Sequence, residues 1–588
     1  MNTRLNKIFV GSLAVCAALA SCSDFLEIKS QSEIVLEDFW NEKADVDNVV
    51  AGCYSALQGD GVMRRMMVWG EFRSENVMAG QNINNDINLE NVLKENITAI
   101  NAYTTWDGFY NIINRCNTVI KYAPQVAGRD PGYTQSELMA TIAEVSALRD
   151  LCYFYLIRTF RDVPYSTAAF TDDDQTMDLP ATPFNAVLDS LIQNLEQVQA
   201  QAVRRYPETK PLYQTGRITQ DAIHAMLCEM YLWKQDYNSC IRYADMVIDS
   251  KKALAEERNR QGGQSYDQHA NKARFNGYPL VNGAIITNYY GNTYNQIFVE
   301  GNSQETIFEL LFDKSSAGNG MLANSAAGAF YGNASVLKGL VGPSTTLVED
   351  ISKTSKRTIF DDRNKKVDAR LYENVNGTAE AISKFVYNAI TINATQPDRV
   401  EANYGNKYGH ARINNADHYY NSSSWVIYRL TDIMLLKAEA LCQLMREGSD
   451  TETSDYNAPL LAEAFSLVNA VNKRSVCEAT LTDTLVASDY LTKAQMEELV
   501  LRERQRELMF EGKRWYDLVR RSLRDGNTQV LSQAAQKRDG VNGTFLQNFF
   551  QKMDAIFWPY NNDELKVNKN LRQNPSFGSG ENSSYQKS

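Results

Sequence analysis

The chain has 588 residues, 44% of them apolar and 22% charged, enough for one large core or for two or three domains. Its formal charge of −11 argues against a nucleic-acid partner, because phosphate binding needs clustered cations. Nine cysteines, widely spaced and without a C-x-x-C, argue against a disulfide framework.

Arg4 and Lys7 form a short positive start, and Ile8 to Ala20 is uncharged and mostly apolar. At about 1.5 Å per residue this run spans roughly 20 Å as a helix, too little for a hydrocarbon core of about 30 Å. Residues 1–21 therefore read as a signal peptide. They end in Leu19-Ala20-Ser21, which together with the following Cys22 is similar to a bacterial lipobox, so Cys22 is the expected lipidation site and mature N-terminus. The protein is then expected to work outside the cytoplasm, tethered to a membrane by lipid. Loss of Arg4 and Lys7 with the leader takes the formal charge from −11 to −13. No later segment is apolar enough for long enough to span a bilayer.

Helical periodicity dominates the chain beyond the leader. Leu138 to Arg161 carries Ile142, Val145, Leu148, Leu151 and Tyr155 at steps of three and four. Ile218 to Trp233 and Tyr237 to Asp249 predict a helix pair across a short turn, with Ala222, Ala225 and Ala244 allowing close approach. The stretch from Lys234 resembles the second helix of a tetratricopeptide repeat. Tyr428 to Met445 with Tyr456 to Arg474 predicts another pair, and Lys493 to Arg521 a last helix. The scaffold is thus expected in 40–250 and 428–525. The intervening 251–425 reads as a loop-rich, partly β insertion, with Thr306–Phe312 and Trp425–Tyr428 as strands. Cys152, Cys228 and Cys442 fall in apolar helical patterns and read as core residues.

Cys22-Ser-Asp-Phe-Leu-Glu27, Ala51-Gly-Cys-Tyr-Ser-Ala-Leu57, Glu144 through Tyr165, Gly216 through Ala222, Tyr428 through Ala440, Arg502 through Arg520, Trp558-Pro-Tyr560 and Asn570 through Pro575 occur in this order along the chain. Taken together they resemble the SusD/RagB family of outer-membrane nutrient-binding lipoproteins. One departure is Arg161, where the family usually has Gly. The resemblance implies a mainly α fold of about four tetratricopeptide-like helix pairs forming a superhelix. It further implies a ligand site on the irregular insertion, a SusC-like TonB-dependent transporter as partner, and display on the cell surface. Asp24 and Glu27 after Cys22 resemble a surface-export signal.

Glu503, Glu507 and Glu511 repeat every four residues with Arg502, Arg504 and Arg506 interleaved, which reads as a salt-bridged packing helix and not an acid–base site. Trp515 and Leu518 are its expected core anchors. There is no G-x-S-x-G and no H-E-x-x-H. His224 reads as packed, His410 and His418 as loop residues, and Asp172-Asp173-Asp174 as an acidic turn lacking the alternation of a calcium loop. No cofactor and no metal are expected.

The feature that points to a ligand is the alternation of rings with amides in the insertion: Asn288 through Gln296, Asn403 through Tyr408, and Tyr419-Tyr-Asn421. Flat rings suit the C–H faces of sugars, and amides and guanidinium groups suit their hydroxyls. The candidate ligand-binding residues are Tyr289, Tyr290, Tyr294, Tyr404 and Tyr408, with Trp69, Arg73 and Asn76 as a second patch. The expected function is capture of an oligosaccharide and its delivery to the transporter, without catalysis. A peptide ligand, a surface glycoside hydrolase and a scaffold without a small ligand are the alternatives.

Overall fold

The computed structural model describes residues 39–578, apart from 173, 261–274, 282–288, 291–292, 313–323, 333–338, 349–367, 377–380, 383, 385–388, 394–399, 404–422, 449 and 476–484. Its longer helices are α1 (Lys43–Leu57), α2 (Asp60–Glu71), α3 (Asp107–Ala127), α4 (Gln135–Phe160), α5 (Phe184–Val198), α6 (Gln220–Trp233), α7 (Tyr237–Arg260), α8 (Leu430–Leu444), α9 (Thr451–Ser475), α10 (Lys493–Leu508) and α11 (Arg514–Asp525). Consecutive helices pair as α3 with α4, α6 with α7, and α8 with α9, while α10 packs on α8 and α9. The fold is mostly helical, with strands confined to short pieces. Among the described residues no helix is long and apolar enough to cross a membrane.

Local chemistry sets the helix starts. Thr134 and Glu137 form a capping box on α4, the hydroxyl accepting from the Glu137 N–H at 3.3 Å and the carboxylate from the Thr134 N–H at 3.0 Å. Thr492 and Gln495 do the same for α10, and the Thr219 side chain caps α6. From Ala143 to Phe160 every α4 residue is buried, so this helix is wrapped on all sides and shows little amphipathic pattern. It stops at Arg161, whose φ of 72° is in the left-handed region that favours glycine. Arg161 is the middle of a γ-turn closed by the Asp162 N–H on the Phe160 carbonyl at 3.1 Å.

The two halves of the scaffold meet directly. α7 packs on α8, and Lys437 of α8 donates to Asp245 of α7 at 2.5 Å. The chain therefore leaves the scaffold at α7, builds the insertion and re-enters next to its point of departure.

Two boundaries differ from the sequence reading. α7 runs on to Arg260, so the insertion begins later than residue 251. Lys493 to Arg521 is two helices, because Phe510 (φ 69°) and Gly512 (φ 71°) turn the chain between α10 and α11. Gly70 of α2 crosses this turn so closely that a Cβ there would lie 1.8 Å from the Gly512 carbonyl oxygen. Glu511 thus lies in the turn and not on the helix face that Glu503 and Glu507 share.

The insertion is partly β as expected. β1 (Tyr289–Tyr290), β2 (Thr306–Leu310), β3 (Ala389–Asn393), β4 (Val400–Asn403) and β5 (Trp425–Arg429) form two antiparallel sheets. β2 pairs with β5, every residue of both strands is buried, and β5 leads straight into α8. β3 lies between β1 and β4, with Tyr289 opposite Asn393 and Tyr290 opposite Ile392. The expected anchors Trp515 and Leu518 are both in the core.

Candidate functional site

The Trp69–Asn76 patch is interior, which corrects the reading of these residues as a binding surface. Trp69 is 0% exposed, donates its indole N–H to the Tyr103 carbonyl at 2.8 Å and lies among the rings of Phe109 and Phe160. Arg73 is fully buried, donating to Glu95 at 2.8 Å and to the carbonyls of Ile556 and Ala555 at 2.9 and 2.7 Å, with Trp515 under its guanidinium. The Asn76 amide gives to Glu71 at 2.7 Å and takes from Gln505 at 2.8 Å. Each polar atom that looked free for a hydroxyl is spent on the protein itself. Sequence cannot distinguish a polar rim from a buried, satisfied polar network.

Glu71 is the centre of that network. Its carboxylate accepts from Asn76 and from the N–H groups of Phe510 (2.9 Å), Lys513 (3.2 Å) and Arg514 (3.4 Å), gripping the turn before α11. Burial pushes its pKa up to about 7, against the pull of these donors.

Tyr294 is also buried, at 1% exposure, and is corrected from binding residue to anchor. Its hydroxyl donates to the Glu507 carbonyl at 3.0 Å, its ring packs on Phe298, and the Lys384 ammonium sits 4.3 Å from the ring centre. Around it lies a buried ion cluster. Glu507 receives Arg429 at 2.5 Å, Arg370 at 3.2 Å and also Arg474; Arg429 and Lys384 reach Glu511; Arg474 reaches Glu305 at 2.6 Å; Arg370 reaches Glu503 at 2.8 Å and Asp368 at 2.7 Å. Burial raises the Glu507 pKa, but Arg474, Arg429 and Arg370 outweigh it and hold this carboxyl well below the usual range. Burial pushes Lys384 down to about 8.

The expected pairing within the helix is largely replaced by pairing across elements. Arg506 does meet Glu503 at 3.2 Å, but Arg504 bonds Asp432 and Asp517, both at 2.9 Å, and Arg502 is a surface residue near Glu498. The cluster ties three parts of the chain together: α10 and its following turn, β5 with the end of α9, and the insertion residues Tyr294, Arg370 and Lys384. Its acids are engaged by cations, and among the described residues no group of three or more His, Cys, Asp or Glu could hold a metal.

β1 lies four residues before Tyr294. The tyrosine-rich segment is therefore rooted in the core at Tyr294, while its first two tyrosines join the sheet β1–β3–β4, made wholly of insertion residues. Tyr404 follows directly on β4; Tyr404 and Tyr408 lie outside the described residues, as do Cys22, His410 and His418. Between α4, α6, β5 and α11, Tyr155, Arg158, Glu229, Tyr428, Lys513 and Tyr516 line a polar recess with room for about one water molecule, far too small for a sugar ring. His224 is buried, as its helical position predicts. Of the binding residues named from sequence, this leaves the β1 tyrosines and the segment after β4.

Residues 253–577 match the profile of the SusD family, and residues 24–232 match one described as starch-binding associating with outer membrane. SusD-like protein P38 of Formosa agariphila is 25% identical over 95% of this chain and 96% of its own length. The starch-binding protein SusD of Bacteroides thetaiotaomicron is 23% identical over 76% of this chain and 74% of its own. Among solved structures, a SusD superfamily protein of Bacteroides vulgatus superposes with a TM-score of 0.60 at 16% identity, covering 92% of this chain and 100% of that one. A laminarin-binding SusD-like protein gives 0.57 at 17% identity, covering 91% and 100%. At these identities the structures bear on the fold alone.

Proposed function

We propose, because this chain belongs to the SusD family, that it is an outer-membrane lipoprotein that binds a nutrient glycan at the cell surface. Cys22 carries the lipid, the body faces the medium, and the bound oligosaccharide passes to a SusC-like TonB-dependent transporter. The protein catalyses nothing itself. Starch binding by the Bacteroides relative supports a carbohydrate ligand. The supporting observation within the fold is the β1–β3–β4 sheet, which carries Tyr289 and Tyr290 on a segment fastened through Tyr294.

The test is a calorimetric and affinity-gel screen of the purified protein against glycans and peptides. Saturable glycan binding without released product is the expected result. With each stacked ring contributing about 1 kcal/mol, the Tyr289→Ala, Tyr290→Ala double variant should bind roughly thirty-fold more weakly. Unchanged affinity in that variant refutes the assignment of the face. Binding of peptides alone makes the protein a peptide carrier, and turnover of a polysaccharide makes it a hydrolase.

A further inference from the structure

Cys228 on α6 and Cys240 on α7 face each other across a helix pair joined by residues 234–236, with their sulfurs 3.7 Å apart. Both are fully buried and both stand as thiols in this structure. A disulfide needs its sulfurs at about 2.05 Å, so each would move by less than about 1 Å to bond. Ala222, Ala225 and Ala244 keep the two helices close, and the Gln235 φ of 64° makes the turn between them tight. Among the other core cysteines, Cys53, Cys116 and Cys152 also lie near one another, but they come from α1, α3 and α4, far apart in sequence, whereas Cys228 and Cys240 sit on adjacent helices joined by a three-residue turn; Cys442 lies on α8.

We propose that Cys228 and Cys240 are joined by a disulfide in the mature protein. The inference rests on the export reading, since a compartment outside the cytoplasm is where such a bond forms and persists. The oxidant is a disulfide, either of a small thiol or of a thiol–disulfide oxidoreductase. One cysteine thiolate attacks it and releases one thiol, leaving a mixed disulfide; the second cysteine attacks that and releases the other. Two cysteine thiols lose two protons and two electrons, and the oxidant disulfide becomes two thiols. Burial raises the Cys228 pKa well above its ordinary value, so in the finished fold this sulfur is a poor nucleophile. The exchange therefore belongs to folding, when the adjacent helices α6 and α7 meet before α8 covers them. The bond would fasten a helix pair against which α8, from the second half of the scaffold, packs.

The experiment uses the full-length protein from the outer-membrane fraction, unfolded in acid, alkylated without reduction and analysed by mass spectrometry after trypsin. Peptides from the two sides of Lys234 that run linked, two hydrogens lighter than their sum, are the expected result, with Cys53, Cys116, Cys152, Cys442 and Cys477 alkylated. Alkylation of both Cys228 and Cys240 in membrane-borne, acylated protein overturns the proposal, as does a bond between any other pair. A cytosolic, unacylated chain would refute the export reading instead. The pair is then tested by refolding the reduced protein with glutathione disulfide: formation of the 228–240 bond supports it, and refolding without the bond overturns it. As a second readout, dithiothreitol should lower the wild-type melting temperature by several degrees and leave a Cys228→Ser, Cys240→Ser variant unmoved.

Discussion

Glu507→Ala isolates what holds the insertion to the scaffold. Glu507 is 0% exposed and serves Arg370, Arg429 and Arg474, whose side chains are at most 1% exposed. Alanine leaves the cluster short of one negative charge where water cannot supply it. Breaking a buried ion pair by removing one partner costs about 3–5 kcal/mol. Tyr294 keeps its bond to the residue 507 carbonyl, so the loss falls on the charges and not on the ring. Urea unfolding should show a loss of about 3–5 kcal/mol, a large fraction of the typical 5–15 kcal/mol stability of a domain. Limited proteolysis should cut the insertion before the helical scaffold, and glycan affinity should fall with it, because Arg370 of the insertion loses its partner Glu507 in the cluster that fastens the insertion to the scaffold. A loss below about 1 kcal/mol, or proteolysis that spares the insertion, refutes the view of this cluster as its fastening.

Acidity acts on the buried carboxyls in opposite directions. Glu71 and Glu373, the latter buried in the insertion where it accepts from the Thr293 N–H, are raised by burial to about 7, so the stability they contribute is fully present below the ordinary 4.5 and is lost as pH rises through 7. The ceiling is roughly 3 kcal/mol each, and melting temperature should fall from pH 5 to 7.5; a Glu71→Gln, Glu373→Gln variant with the same slope contradicts this. Glu507, held low, contributes stability above 4.5 that is lost as pH falls further, a loss that Glu507→Ala should not show. Arg161→Gly should be more stable than Arg161→Ala by about 1 kcal/mol, because both give up the half-exposed pair with Asp554 while only glycine relieves the φ of 72°. The reverse order in thermal melts would mean that the turn is unstrained. Trp69→Phe should lower stability by about 1–3 kcal/mol and leave glycan affinity within about twofold; a larger drop in affinity of the folded protein would return Trp69 to the binding face.

The helices were legible because apolar spacing is local information. The predicted Ile218–Trp233 became Gln220–Trp233, and Leu138–Arg161 became Gln135–Phe160, each displaced by a cap that the pattern does not contain. The break inside 493–521 was not legible, because Gly512 is required by its φ of 71° and by the Met66 carbonyl oxygen, which a Cβ there would approach to 3.0 Å and which lies more than 400 residues earlier in the chain. The β2–β5 pairing was half visible as two apolar runs, but their partnership is set by packing across the insertion. Site residues were harder to read than fold residues. Arg73, Asn76 and Tyr294 have the chemistry of a sugar-binding surface and sit in the interior, where the same donors and acceptors meet one another. A usable signal was available for Tyr294: an aromatic followed closely by Ile297 and Phe298 begins an apolar patch, which sets it apart from Tyr289 and Tyr290.

The contact between α7 and α8 has a consequence for how such chains diversify. Because the scaffold closes on itself at the base of the insertion, the outer loops can change length and chemistry without reopening the helical stack. A transplant of a foreign recognition segment should succeed if it keeps the rivets at Tyr294, Arg370 and Lys384, and fail to seat if it drops them. A change of ligand can then be met by swapping a cap while the body stays the same.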